Sequence, residues 1–144
     1  MLVPVLAILV VSPPALGVYT AGRAPALDPS AGRRVATGSG ATDNPLLFYL
    51  AANGNPASLS GRTVQLLGFV DASAAGGFTL ARLVITCCAA DAVTVPVHVR
   101  SSSAAPPIGR WVQVSGRFAG LDGTIPRLTA TEINPVSAPK NPYA

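Results

Sequence analysis

The amino-acid sequence points to an all-β fold, a small five-stranded antiparallel barrel of OB-like form, and three observations carry that expectation. From residue 61 onward, apolar and polar residues alternate in five runs, the period of a half-buried strand. Turn-forming residues separate the runs: the 144-residue chain holds 14 Gly and 14 Pro, which favour short strands over long helices. Two of the runs, 61–70 and 109–118, share the frame G-R-x-V-Q-x-x-G-x-[VF]. The leading Gly of that frame turns the chain, and the later one lets a curved strand bend or bulge. Five such strands suit a closed Greek-key barrel, here expected behind a short hydrophobic N-terminal helix and a flexible linker.

Along the chain, residues 1–18 (MLVPVLAILVVSPPALGV) carry no charge. About 20 apolar residues span a bilayer as a helix, so this run, interrupted by Pro13-Pro14, reads as a partial transmembrane segment. No Lys or Arg precedes it, and the positive n-region of a signal peptide is missing. Residues 19–58 are rich in Ala, Gly, Pro and Ser and read as a linker, with one or two helical turns at 46–52. Residues 59–144 form the barrel domain and its C-terminal tail. Its strands are expected at 61–70, 77–88, 94–100, 109–118 and 124–133. Alternation aims Val64, Leu66, Val95, Val97, Val112 and Val114 at the core.

Apolar residues make up 49% and charged residues 11% of the chain, which sets it apart from disordered sequences. The net charge of +4 arises from ten bases against only six acids. Apart from Arg33-Arg34 the arginines are single, and aromatic residues are few, so the footprint of a nucleic-acid binder is missing and no nucleic acid is expected as a partner. Catalysis finds no support either. There is no G-x-S-x-G, Walker A or G-x-G-x-x-G motif, and Asp71, Asp91, Asp122 and Glu132 are well separated in sequence.

The chemistry-bearing residues concentrate in 82–92, RLVITCCAADA. Neighbouring cysteines do not form an ordinary disulfide, because their Cα atoms sit only ~3.8 Å apart. Two thiols and a carboxylate suit a soft or borderline metal, so Cys87, Cys88 and Asp91 are candidate ligands for a zinc or copper ion. The competing account is packing: two small apolar fillers and an Asp that caps the next turn. If the strand runs through to residue 88, Cys87 shares a face with Leu83 and Ile85. Cys88 then joins Arg82 and Val84 on the other face, where Arg82 would depress the thiol pKa. His98 alternates away from Val97 and Val99 and is expected to face outward.

GRTVQLLGFV, VITCCAADA, WVQVSGRF and the closing APKNPY together resemble the YcgQ-like family of permease subunits. The resemblance runs over 61–143 and rests on Gly61, Arg62, Val64, Gly68, Phe69 and Val70, then on Arg82, Ile85, Cys87, Cys88, Ala90 and Asp91. It continues through Trp111, Val112, Val114 and Gly116 to Pro139, Pro142 and Tyr143. It implies two N-terminal membrane spans and a C-terminal β domain beside a multi-pass membrane permease. The expected role is a membrane-tethered accessory subunit that aids transport of a small ion or metal, with its C-terminal domain extracytoplasmic. Since the first span and the loop between spans are not in the sequence, the chain is expected to be an N-terminally truncated copy. The family pattern allows His as well as Cys at position 87, an exchange that a metal ligand tolerates. The alternative is a free metal-binding or thiol-containing extracytoplasmic barrel released from a signal peptide.

Overall fold

Strands β1 (Thr63–Ala74), β2 (Gly77–Val84), β3 (Val93–Arg100), β4 (Trp111–Asp122) and β5 (Ile125–Pro135) close into a barrel in the order β1-β2-β3-β5-β4. The structure, a computed structural model, describes residues 17–30, 43–85 and 87–143. All five expected strands are present, and the six expected core residues are all buried. One pairing departs from the antiparallel expectation: β3 and β5 run parallel, through His98↔Arg127, Val99↔Leu128 and Arg100↔Thr129. The reason is parity. Strands alternating up and down cannot all be antiparallel to both neighbours when a ring holds an odd number of them.

The repeated glycine frames pair with each other. β1 and β4 are antiparallel with Val64 opposite Gly116, Leu66 opposite Val114 and Gly68 opposite Val112. Each frame begins in the left-handed region, at Gly61 (φ 71°) and Gly109 (φ 81°), where glycine has no steric penalty. Each later glycine gives a neighbour room. A Cβ on Gly68 would lie 2.7 Å from the Ala81 carbonyl oxygen and 2.9 Å from Leu80 Cγ. A Cβ on Gly116 would lie 2.4 Å from the Thr129 oxygen and 3.0 Å from Leu128 Cγ. Leu80 and Leu128 thus occupy the core space that side chains at these two positions would take. β1 also changes partner: residues 63–69 pair with β4, and 69–74 with β2.

The stretch 43–58, expected as linker, is folded onto the barrel. Helix α2 (Pro45–Gly54) is longer than the one or two turns foreseen. Asn44 caps it by accepting from the Leu46 amide at 2.8 Å, and Pro45 occupies its first turn. Phe48, Ala51 and Ala52 enter the main core with Leu59, Val64 and Leu66, and Phe48 meets Phe118 edge-on at 6.0 Å. Tyr49 and Leu50 pack on Val95, with the Tyr49 hydroxyl donating to the Leu27 carbonyl at 2.8 Å. Six of its ten residues are buried, and burial of each large apolar side chain stabilises by roughly 1.5–3 kcal/mol. The remainder of the expected linker, 31–42, lies outside the described residues.

Two further segments cover the barrel's outside. A short helix α1 (Val18–Ala21) lays Val18 and Ala21 over Phe69, Ala81 and Leu83, and the chain then bridges Ala26 to Thr94. Val18, the last residue of the uncharged run, therefore packs on protein. Residues 1–16, where the membrane segment is expected, lie outside the described residues. Among those described, no helix is long and apolar enough to cross a membrane.

The C-terminal tail lies beside β2, where Tyr143 bridges to Leu83. Arg82 holds it there. Its Nε donates to the Pro142 carbonyl at 3.1 Å, and its Nη2 donates to Asn141 and Tyr143 at 3.0 and 2.8 Å. Its Nη1 donates across to Leu67 of β1 at 3.2 Å. The guanidinium also stands 5.3 Å from the Trp111 ring. Arg82 is 9% exposed, and burial pulls its pKa below the ordinary arginine value, though a guanidinium stays charged throughout the working pH range.

Substitutions at three positions test this account. Gly116→Ala forces backbone or Leu128 to move and should lower unfolding free energy by about 1–3 kcal/mol in a denaturant melt. Gly54→Ala, at the end of α2 with nothing within 4 Å of the new Cβ, should be neutral or stabilising. Arg82→Lys should not rescue an Arg82→Met loss, because one ammonium cannot span four carbonyls. Both variants should lose about 2–4 kcal/mol and expose the tail to proteolysis; a tail still protected in Arg82→Met would overturn the clamp.

Candidate metal centre

β2 ends at Val84, earlier than the apolar run suggests, and its last residue pairs with Val93 at the start of β3. Residues 85–92 are the connection. They leave the ladder because the Asp91 carboxylate takes the amides a strand would have offered to a neighbour. Oδ2 accepts from the Cys87 N–H at 2.8 Å and Oδ1 from the Cys88 N–H at 3.3 Å. Asp91 closes a short 3-10 turn (Ala89–Asp91) that begins after Cys88. Instead of capping the next turn, as the packing account expects, it reaches back to cap the turn it ends, which folds the loop so that all three side chains meet.

The alternation that set the thiols on opposite faces is therefore overturned. Both cysteines are exposed, and their Sγ atoms are 3.8 Å apart. The expectation that Arg82 bears on Cys88 also falls, since that guanidinium is committed to the carbonyls of Leu67 and the C-terminal tail. Exposure removes the account of the cysteines as buried fillers. His98 plays no part here. It lies five residues along β3 from Val93, a rise of about 16 Å, and faces Asp122 at 3.5 Å.

The geometry suits a metal ion. The ligand atoms of Cys87, Cys88 and Asp91 all lie within 4.8 Å of one another. A tetrahedral zinc with sulfurs at about 2.3 Å places them about 3.8 Å apart, which is the Sγ–Sγ separation in this loop. A carboxylate fixed by two amides is held in place for ligation as well as for capping. Three protein ligands leave a fourth position for water or an incoming ligand. Without a cation, the Asp91 carboxylate and then the Cys88 thiol keep the proton on Cys87, raising its pKa above the ordinary thiol value. A divalent ion would reverse that preference, and binding would release protons.

Fold and loop together define a small OB-like β-barrel domain with an exposed thiol–carboxylate cluster at one end. The chain belongs to the DUF1980 family, whose C-terminal domain matches residues 42–144 and so takes in α2 as well as the barrel. That is the YcgQ-type family to which the motifs pointed. No curated protein matches the chain in sequence. Among solved structures, the telomere capping protein Ten1 from Saccharomyces pombe is similar, with 16% identity and a TM-score of 0.38. The match covers 60% of this chain and 75% of that one.

Thiol alkylation tests the proton assignment. In a Cys88→Ser background at pH 8, Cys87 should react with iodoacetamide faster once Asp91→Asn removes the negative charge, because the thiolate is the nucleophile. The difference should shrink as the pH rises above the raised Cys87 pKa and both forms become thiolate. Equal rates at pH 8 would show that Asp91 does not hold the proton.

Proposed function

We propose that this chain is the extracytoplasmic domain of a membrane-tethered accessory subunit, and that its Cys87–Cys88–Asp91 loop binds a thiophilic metal ion on behalf of a multi-pass permease. The observation that carries the reading is the convergence of two exposed thiols and a carboxylate within 4.8 Å on one short loop. Exposure suits exchange with a partner better than a closed structural site does, since an ion must be able to leave. Zinc and copper are the ions whose ligand preferences include thiolates. The domain works by binding and does not catalyse a reaction. The motifs shared with YcgQ-like permease subunits are what suggest the permease partnership. The packing of Val18 and Ala21 on the barrel supports a short tether, because it would hold the domain close to the bilayer that residues 1–16 would enter.

Calorimetric titration of the reduced protein with zinc and with copper(I) tests the site. One equivalent should bind, and Cys88→Ser and Asp91→Asn should each abolish binding while far-UV circular dichroism still reports a folded barrel. No heat above the buffer blank at micromolar protein would end the tight-site reading. Membrane fractionation tests the tether: the chain should sediment with membranes until detergent is added, and a mature product starting near residue 19 would favour the released module instead.

A further inference from the structure

The parallel seam between β3 and β5 opens into a cleft unrelated to the cysteine loop. Its volume is about 330 Å³, and it lies between the β1–β2 turn, the end of β3 and the β4–β5 turn. The polar lining comes from His98, Arg100, Asp122 and Arg127. His98 and Arg127 are register partners across the seam, and Arg100 is two residues further along β3. The Ser101 amide donates to the Gly76 carbonyl at 3.0 Å and pins the turn that forms one rim.

The charges in this cleft do not balance. His98 Nδ1 lies 3.5 Å from the Asp122 carboxylate, so the cleft's one acid already has a neighbour. Arg127 Nε is buried and meets no hydrogen-bond acceptor. Among the described residues, neither the Arg100 nor the Arg127 side chain makes an ion pair. With His98 neutral the lining carries two positive charges and one negative. A buried guanidinium N–H without an acceptor is costly, and native structures rarely leave one unanswered. Contrast Arg82, whose donors are met by four carbonyls.

We propose that this cleft is a binding site for a small oxyanion, a phosphate or carboxylate group, received by Arg127 and Arg100. The planar guanidinium forks of exposed Arg100 and half-buried Arg127 each match two oxygens of either group, and Arg127, whose Nε meets no acceptor within the protein, is the less satisfied of the two. The volume is at the lower end of small-molecule sites, which limits the ligand to a compact one. The site is separate from the proposed metal centre and stands or falls independently of it.

Nitrogen-15 NMR of the full chain tests the proposal, because the arginine Nε–H gives its own signal. Inorganic phosphate and acetate are titrated in parallel at ionic strength held constant with chloride. The expected result is a saturable shift of the Arg127 Nε–H with one or both anions, with amide shifts confined to residues 74–79, 98–100 and 122–127. The stronger of the two identifies the anion class. Arg127→Gln should weaken binding about tenfold or more, and Arg100→Gln, at an exposed position, provides the second reading if the first variant unfolds. A linear response equal to that of chloride would overturn the proposal, as would saturation unchanged in both variants. A short oligothymidylate that binds with shifts running around the barrel, while phosphate and acetate give none, would also overturn it in favour of a nucleic-acid surface.

Discussion

Closing an odd number of strands into a ring governs how the rest of this domain is arranged. The β1–β4 pairing makes closure possible. In it, two copies of one glycine frame lie antiparallel, so that Gly68 and Gly116 fall at symmetric points along the shared ladder. Each glycine admits a leucine from the next strand round, Leu80 on one side and Leu128 on the other. The sheet can then curl in both directions from the same central pair. What curling cannot remove is the parity mismatch, which is confined to the brief parallel contact of β3 with β5. The cleft opens beside that contact, at the place where the ladder is shortest.

Two clusters of charge on this barrel are handled in opposite ways. Arg82 is buried and surrounded by carbonyl oxygens, whose partial negative charges stand in for a carboxylate. The loop at 87–91 brings together two exposed thiols and a carboxylate held by backbone amides. The first arrangement is self-sufficient and stabilises the fold. The second favours a proton or a cation between its members, and which of them it holds depends on solution conditions.

Much of the barrel was legible because strand alternation is a local signal. Val64, Leu66, Val112 and Val114 are apolar at every second position, and the glycines that start their frames are turn residues by their own stereochemistry. β2 was read too long because Leu83, Val84 and Ile85 continue the apolar run without a break, while the reason it stops, the Asp91 carboxylate, lies several residues downstream. α2 was underestimated although Asn44-Pro45 and Gly54 mark both of its ends; its neighbours in a Gly- and Pro-rich stretch hid it. For the site, residue types were legible and their disposition was not, since a strand's parity had separated thiols that a turn brings together. Arg82 and the terminal Pro142-Tyr143 stood in one family pattern, a hint that they touch, but 60 residues of chain lie between them. Nothing in the sequence tied Arg127 to His98, because their adjacency is made only when the ring closes.

Where β1 leaves β2 to join β4, the far end of β2 would present bare amide and carbonyl groups, and the segment 141–143 lies along that edge, with Tyr143 bridged to Leu83. Such an edge is a template for a strand from any other molecule, and proteins blunt it to avoid sticking to one another. Here the protection comes from a segment about 60 residues further along the chain, held in place by the Arg82 guanidinium. Lifting that segment would bare the edge of β2 to a second copy of the domain, so the contacts that Arg82 makes also serve to keep one barrel from pairing with another.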